Sequence, residues 1–189
     1  MIEELVLKNR SYRAFDEGTP ITRQQMTALV DLARRTASGM NKQPLRYRIL
    51  TEKSDLGKML GNCRFAASLG IPLPPKGKHP TGFILMLADS EAGSPDALMK
   101  KDVGIAAQTI LLGAVEMGFG GCMLASFDPK RMSEDFGIDE RYVPQLAIAL
   151  GKPAEEVALA DSRDGTMTYW RDENGTHFVP KHTLDEILI

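Results

Sequence analysis

The chain has 189 residues, of which 43% are hydrophobic and 25% are charged, and its formal net charge at pH 7 is −2. This balance predicts one globular domain over residues 1–189 and, because no long basic run is present, makes nucleic acid and membrane partners unexpected. Only two cysteines, Cys63 and Cys122, and no signal-peptide pattern after Met1 favour a cytoplasmic protein with free thiols.

The first half of the chain predicts helices before strands. Thr22 is a candidate N-cap, and Gln25 stands at the reciprocal position of a capping box, ahead of apolar residues at helical spacing. Four prolines and two glycines between 71 and 82 predict a loop. The predicted elements are helices at 2–9 and 19–38, a strand at 46–53 and a helix at 54–70.

The second half predicts strands separated by helices. The apolar run 83–89 is typical of a strand buried on both faces, and 94–120, capped by Ser94 with Pro95 in its first turn, is the longest predicted helix. Asp128 is expected to cap a further helix at 128–137. The remaining predictions are strands at 121–127 and 142–153, no regular period at 154–168, a turn at Asn174-Gly175, and a strand or arm to the end. This order favours an α+β or three-layer α/β sandwich over a regular βαβ alternation.

The stretch "KNRSYRAF" at 8–15 is the first candidate site. Arg10 and Arg13, with Ser11 between them, could hold a phosphate, because guanidinium groups match phosphate oxygens in a bidentate way. The alternative is a solvated helix end, whose negative pole the arginines complement.

Two further polar or glycine-rich stretches could contact a ligand. Ser38, Asn41 and Gln43 could present donors and acceptors to the edge of a flat heterocycle, or simply terminate a helix. The glycines of 118–127 could let backbone N–H groups approach a ligand, or only stop a helix before a buried strand. Standard dinucleotide and P-loop motifs are absent from the sequence.

The sequence gives little support to a metal site or to a nucleophilic cysteine. Lys181 and His182 form a basic pair near the end of the chain, which is a common surface pattern. The three histidines lack metal-ligand spacing, so no metal site is predicted. Cys122 lies among apolar residues, where a thiol is more often inert than nucleophilic.

Taken in order, these stretches resemble the nitroreductase family of FMN-dependent oxidoreductases. That family opens on a motif similar to Arg-Arg-Ser-x-Arg-x-Phe, followed by a helix and Pro-Ser-x-x-Asn-x-Gln-Pro-Trp. Here the motifs are "NRSYRAF" at 9–15 and "ASGMNKQPL" at 37–45, with Asn9, Ala37 and Leu45 as departures. The helix "DVGIAAQTILLGAVEMGFGG", the "LGKP" at 150–153 and the tail "PKHTLDEI" extend the resemblance over nearly the whole chain.

The resemblance implies a three-layer α-β-α sandwich with a mainly antiparallel central sheet. It also implies a homodimer that exchanges a C-terminal arm, residues 165–189 here, and holds FMN at its interface. The implied phosphate ligands are Arg10, Ser11 and Arg13, closed by Lys181 or His182. Flavin and ribityl contacts would come from Ser38, Asn41 and Gln43 of the other subunit, and from backbone at Leu124, Ala125 and Ser126 near flavin N5.

The implied activity is electron transfer from NAD(P)H through the flavin to a nitroaromatic, quinone or similar small acceptor, by a ping-pong mechanism. No catalytic side chain is needed, in keeping with the lack of a nucleophile motif. Three alternatives remain open at this point: an enzyme of different chemistry on the same fold, such as dehalogenation or flavin fragmentation; a flavin-binding or storage protein; and a structural α+β dimer without a cofactor.

Overall fold

The computed structural model describes residues 1–66, 70–92, 97–162 and 165–189. The helices in this part of the chain are α1 (Ile2–Lys8), α2 (Arg23–Ala33), α3 (Lys53–Asn62), α4 (Ala97–Glu116), α5 (Pro129–Phe136) and α6 (Leu184–Ile187). The strands are β1 (Phe15–Asp16), β2 (Leu45–Leu50), β3 (Gly82–Asp89), β4 (Gly120–Leu124), β5 (Tyr142–Pro153), β6 (Val157–Asp161), β7 (Trp170–Arg171) and β8 (His177–Lys181).

The central sheet has the order β1-β5-β3-β2, and β4 also pairs with β5. Each of these pairings is antiparallel. All eight residues of β3 are buried, as its continuous apolar run predicts for a strand covered on both faces. The prediction of a mainly antiparallel central sheet is therefore confirmed.

Helices cover both faces of this sheet. Because side chains alternate along a strand, Ile84 and Met86 pack on one side with α2 and α4, while Phe83 and Leu85 pack on the other with α3 and α5. Met26 and Ile110 belong to the first core cluster, and Met59 and Met132 to the second. These two cores, one on each face, make the predicted three-layer α-β-α sandwich.

A second, small sheet follows the central one along the chain. Its order is β6-β8-β7, with β8 parallel to β6 and antiparallel to β7. The rings of Trp170 and Phe178 stack across it with centroids 5.3 Å apart. No regular period is visible in the sequence at 154–168, yet β6 forms there. None of its residues is fully buried, and for this reason the strand leaves no alternating pattern in the sequence.

Local sequence features decide several boundaries correctly. The side chain of Thr22 accepts from the N–H of Gln25, whose own side chain accepts from the N–H of Thr22, so the predicted capping box is present. Asp128 caps α5 with Pro129 in its first turn. Several predicted elements run too long at their C-terminal ends: α2 ends at Ala33, β2 at Leu50, α3 at Asn62, α4 at Glu116 and β4 at Leu124. Ser94 and Pro95 lie outside the described residues.

Candidate functional site

The basic segment after α1 lies against the start of β4. Ser11 forms an isolated bridge with Gly121, and the N–H of Tyr12 donates to the Gly121 carbonyl at 3.1 Å. A Cβ at Gly120 would stand 2.5 Å from the Tyr12 ring, so this glycine is needed for the ring to pack. The glycines of 118–127 were expected to let a ligand approach the backbone. In this structure it is the chain's own N-terminal segment that approaches Gly120 and Gly121.

Arg10 and Arg13 both turn part of their guanidinium groups inward. Arg10 Nη2 donates to the carbonyl of Val6 at 2.7 Å, and Arg13 Nη1 donates to the carbonyl of Ser11 at 3.2 Å. Arg13 Nη1 also lies 3.5 Å from His177 Nε2. The Nε atoms of both arginines are buried and have no hydrogen-bond partner.

Glu155 fixes the backbone of this segment. One of its carboxylate oxygens accepts from the N–H groups of Arg13 and Ala14, the latter at 3.0 Å. The other accepts from Arg171 Nη2 at 2.5 Å, and the side chain of Glu155 is only 6% exposed. Glu155, Arg171 and His177 were not predicted as site residues. Glu155 lies in a stretch without a visible period, Arg171 and His177 lie in the predicted terminal strand or arm, and the contacts that join them to the basic segment form only in the fold.

The cluster formed by Arg10, Arg13, Glu155, Arg171 and His177 has more buried hydrogen-bond donors than acceptors. Five buried side-chain polar atoms in the described residues have no hydrogen-bond partner, and four of them are basic nitrogens here: Nε of Arg10, Arg13 and Arg171, and Nδ1 of His177. Burial, followed by the charges of Arg13 and Arg171, lowers the pKa of His177, which favours the neutral imidazole. Buried donors without partners are costly, so an acceptor that reached them would stabilise this part of the fold.

Cys122 lies beneath the basic segment, with Ser11 and Arg13 beside its thiol. The side chain is buried, and burial is the main reason that its pKa is raised. A raised pKa means little thiolate at neutral pH, so the geometry gives no support to a nucleophilic role.

The polar stretch 37–47 is organised by a second buried carboxylate, Asp102 on α4. Ser38 Oγ donates to Asp102 Oδ2 at 2.7 Å, and the N–H of Gly39 donates to Oδ1 at 2.9 Å. The N–H of Gln43 donates to Ser38 Oγ at 3.0 Å, and Gln43 Nε2 donates to Asn41 Oδ1 at 3.1 Å. The structure therefore brings Ser38, Asn41 and Gln43 together on one turn, held from α4.

The backbone of this turn is strained. Met40, Asn41 and Gln43 have φ values of 53°, 53° and 48°, in the left-handed region that non-glycine residues seldom adopt. Such strain persists only where surrounding structure imposes it, and it gathers at binding sites. Behind the turn lies a cavity of about 330 Å³ between α2, β2 and Asp102. Burial and then Asp102 raise the pKa of Tyr47, on its wall, to about 12.

The other predicted site residues take different positions. Leu124 is buried in the core on the α3 and α5 side, whereas Ala125 and Ser126 follow β4 and are exposed. Lys181 ends β8 and is exposed, and His182 Nδ1 lies 3.5 Å from Glu186 Oε2. It is His177 that lies beside Arg13; an extended strand puts Lys181, four residues on, about 13 Å further along.

Within the described ranges, no helix has the length and hydropathy to cross a membrane. The same ranges contain no group of three His, Cys, Asp or Glu side chains that could hold a metal ion.

Comparison with known proteins places these features in a family context. Residues 74–152 match the Nitroreductase family model. The candidate NAD(P)H nitroreductase YodC of Bacillus subtilis (strain 168) is 26% identical in an alignment covering 78% of this chain and 87% of that protein. A nitroreductase family protein from Streptococcus pneumoniae TIGR4 superposes with a TM-score of 0.74 at 15% identity, over 100% of this chain and 99% of the other.

A solved structure with a similar fold contains FMN. A candidate nitroreductase from Exiguobacterium sibiricum 255-15, in complex with FMN, matches with a TM-score of 0.68 at 18% identity, covering 82% of this chain and 89% of that one. The predicted resemblance and the predicted fold class are confirmed by these matches.

Proposed function

We propose that this chain, which resembles the nitroreductase family in sequence and shares its fold, is an FMN-dependent oxidoreductase that takes electrons from NAD(P)H. The observation that carries the proposal is the set of buried, unpartnered arginine donors at Arg10 and Arg13. A flavin mononucleotide has a terminal phosphate, which is the group that such donors bind best.

At the phosphate end, Arg10, Ser11 and Arg13 bind the ligand. Ser11 is exposed and can donate its hydroxyl hydrogen, while the two guanidinium groups supply charge and direction. Glu155 holds the N–H groups of Arg13 and Ala14, so this backbone is fixed before any ligand arrives. Lys181 and His182 are proposed to close on the phosphate from the tail, which requires the end of the chain to move toward Arg13.

At the ring end, the amides of Asn41 and Gln43 and the hydroxyl of Ser38 bind the flavin and ribityl edges. Asp102 anchors their turn through two hydrogen bonds, which keeps its strained shape without a ligand. Exposed backbone at Ala125 and Ser126 offers N–H groups toward the flavin. A preorganised turn lowers the entropy that binding must overcome.

When bound, FMN supplies the hydride chemistry between a nicotinamide and an acceptor. The chain's own residues bind and orient it, and no side chain is required as a nucleophile or general base. The proposed acceptors are small molecules, of which nitroaromatics and quinones are the classes to try first. If donor and acceptor use the same place in turn, the kinetics are ping-pong.

We also propose that the enzyme is a homodimer with FMN at the interface. Large apolar side chains are exposed on α1 and at the end of the chain, including Ile2 and Leu184, each 66% exposed. Helix α4, against which α1 packs, exposes Ile105. A second copy would bury these faces, and the exposed α6 suits an arm that crosses to the partner.

The test is a titration followed by reduction. Protein purified gently with added FMN should retain flavin absorbance near one FMN per chain, and these bands should bleach when NAD(P)H is added without oxygen. Initial rates with a nitroaromatic or a quinone should then give parallel double-reciprocal lines. A flavin that stays oxidised with both nicotinamides would contradict the reductase, and a chain that binds no FMN would remove the proposal altogether.

A further inference from the structure

We propose that Arg171 on β7 is a third guanidinium of the phosphate site, and that Glu155 is the positioning residue that holds it there. This inference rests on the proposed function, since the phosphate in question is that of FMN. It assigns a phosphate contact to the small second sheet, in addition to the N-terminal segment.

The first step is the placement of Arg171. Its strand partner in β8 is His177, and His177 Nε2 lies 3.5 Å from Arg13 Nη1. Arg171 Nη2 binds Glu155 at 2.5 Å, and Nη1 donates to the carbonyl of Gly175 at 3.1 Å. Two of the three nitrogens are thus fixed, which holds the guanidinium plane against Glu155, whose other oxygen accepts from the backbone N–H of Arg13.

The second step is the role of Glu155, which joins two segments that are far apart in sequence. One oxygen accepts from the N–H groups of Arg13 and Ala14, and the other accepts from Arg171. The orientation of Arg171 and the backbone of the basic segment are therefore set by the same carboxylate.

The third step is the charge balance. If Arg171 served only as a structural partner of Glu155, the two charges would cancel, and we would expect every guanidinium nitrogen of Arg171 to have a hydrogen-bond partner. Instead Arg171 Nε is buried without a partner, as are the Nε atoms of Arg10 and Arg13. The basic segment and β7 together contribute three arginines, of which Arg171 forms an ion pair with Glu155, and His177 favours its neutral form. A phosphate monoester, with a charge of about −1.5 to −2 at pH 7, offsets this excess.

The test compares FMN with riboflavin, which has the same ring and ribityl chain but no phosphate. Titrations with Arg171→Met should show FMN affinity reduced about tenfold or more, the range of a lost charge-assisted hydrogen bond, with riboflavin affinity within about twofold of wild type. Arg131→Met on α5 is the matched control, since Arg131 is exposed and forms its ion pair with the helix neighbour Asp135. Equal losses for both ligands, or no loss of FMN, would overturn the assignment.

For Glu155, the two possible roles predict changes of FMN affinity in opposite directions. If Glu155 acted only through its charge, Glu155→Ala would remove a repulsion and tighten FMN binding. As a positioning residue its removal weakens FMN more than riboflavin, and Glu155→Gln, which keeps an acceptor for the backbone N–H groups, restores part of the difference. Circular dichroism of each variant checks that it folds. The double variant Glu155→Gln/Arg171→Met, which leaves no buried carboxylate, should also lose the FMN preference if Arg171→Met alone misfolds.

These outcomes separate the inference from the proposed function. Wild-type protein that prefers FMN to riboflavin, with variants that keep this preference, refutes the role of Arg171 and leaves the flavin proposal intact. Wild-type protein without any preference refutes the phosphate site itself.

Discussion

The basic segment at 10–14 and the polar turn at 38–43 are built on the same plan but differ in what they leave unsatisfied. In each, a buried carboxylate from a distant element accepts backbone N–H groups: Glu155 for the first and Asp102 for the second. Around Glu155 the buried donors outnumber the acceptors. Around Asp102 both carboxylate oxygens accept a hydrogen bond, and the unusual feature is the left-handed backbone of the turn. An excess of donors favours binding an anion, whereas imposed backbone shape favours binding a flat, neutral edge.

The largest effect we expect is on the anion side of this comparison. Arg13→Ala should weaken FMN binding by about 10- to 100-fold, because a charge-assisted hydrogen bond to phosphate contributes roughly 1.5–3 kcal/mol. Riboflavin affinity should stay within about twofold, since it has no phosphate for Arg13 to bind. Fluorescence titration of both flavins measures this, with Arg131→Ala as the control. Equal losses for the two flavins would mean that Arg13 only supports the fold.

Substitution of Asp102, which holds the polar turn at 38–43, should change the affinities for FMN and riboflavin together. Asp102→Asn should weaken FMN and riboflavin by similar factors, because both share the ring and ribityl edges that the turn is proposed to bind. The free energy of unfolding should fall by about 1–3 kcal/mol, since an amide cannot accept from both Ser38 and the N–H of Gly39 in the same way. Urea unfolding and the same two titrations give the result. A loss of affinity for FMN alone would mean that the polar turn, like the basic segment, acts on the phosphate, and would contradict the proposed difference between the two regions.

Sequence analysis located both segments but not what holds them. Arg10, Arg13, Asn41 and Gln43 are conspicuous because polar residues cluster locally around turns. Glu155 lies in a stretch without a visible period and His177 in the predicted terminal strand or arm, and their importance arises from contacts with Arg13, which is 142 and 164 positions away in sequence.

The fold was more predictable than the site. Strand β5 and the caps of α2 and α5 follow from local pattern, whereas β6 depends on pairing with β8, which no local window contains. Asp102 is buried on α4 and therefore requires a partner, but the sequence does not distinguish it from Lys100, Lys101 and Glu116, which are exposed on the same helix.

A smaller effect concerns acid stability. Burial and the neighbouring arginines lower the pKa of His177 below its ordinary 6.5, with Glu155 acting in the opposite sense and Tyr169 packed on the ring. The unfolded chain then binds a proton that the folded chain resists, so stability falls as the pH drops below about 6.5. Thermal unfolding of His177→Gln should show a shallower loss between pH 7 and pH 5 than wild type. Parallel curves would mean that His177 does not contribute to this loss.

The smallest effect tests the strain itself. Met40 is 80% exposed at a φ of 53°, so Met40→Gly should remove strain and raise the free energy of unfolding by up to about 1 kcal/mol. Lys42 in the same turn has a φ of −69°, and Lys42→Gly should instead lower stability by a few tenths to about 1 kcal/mol. Opposite signs in urea unfolding, from the same replacement two residues apart, would establish that the turn stores strain in its backbone. Met40→Ala is the control, because it removes the side chain but keeps a Cβ at the strained position. Its stability should stay near the wild-type value, and its affinity for both flavins should be unchanged. If Met40→Gly nevertheless weakens FMN and riboflavin equally, flavin binding depends on the imposed shape of the turn and not on the Met40 side chain.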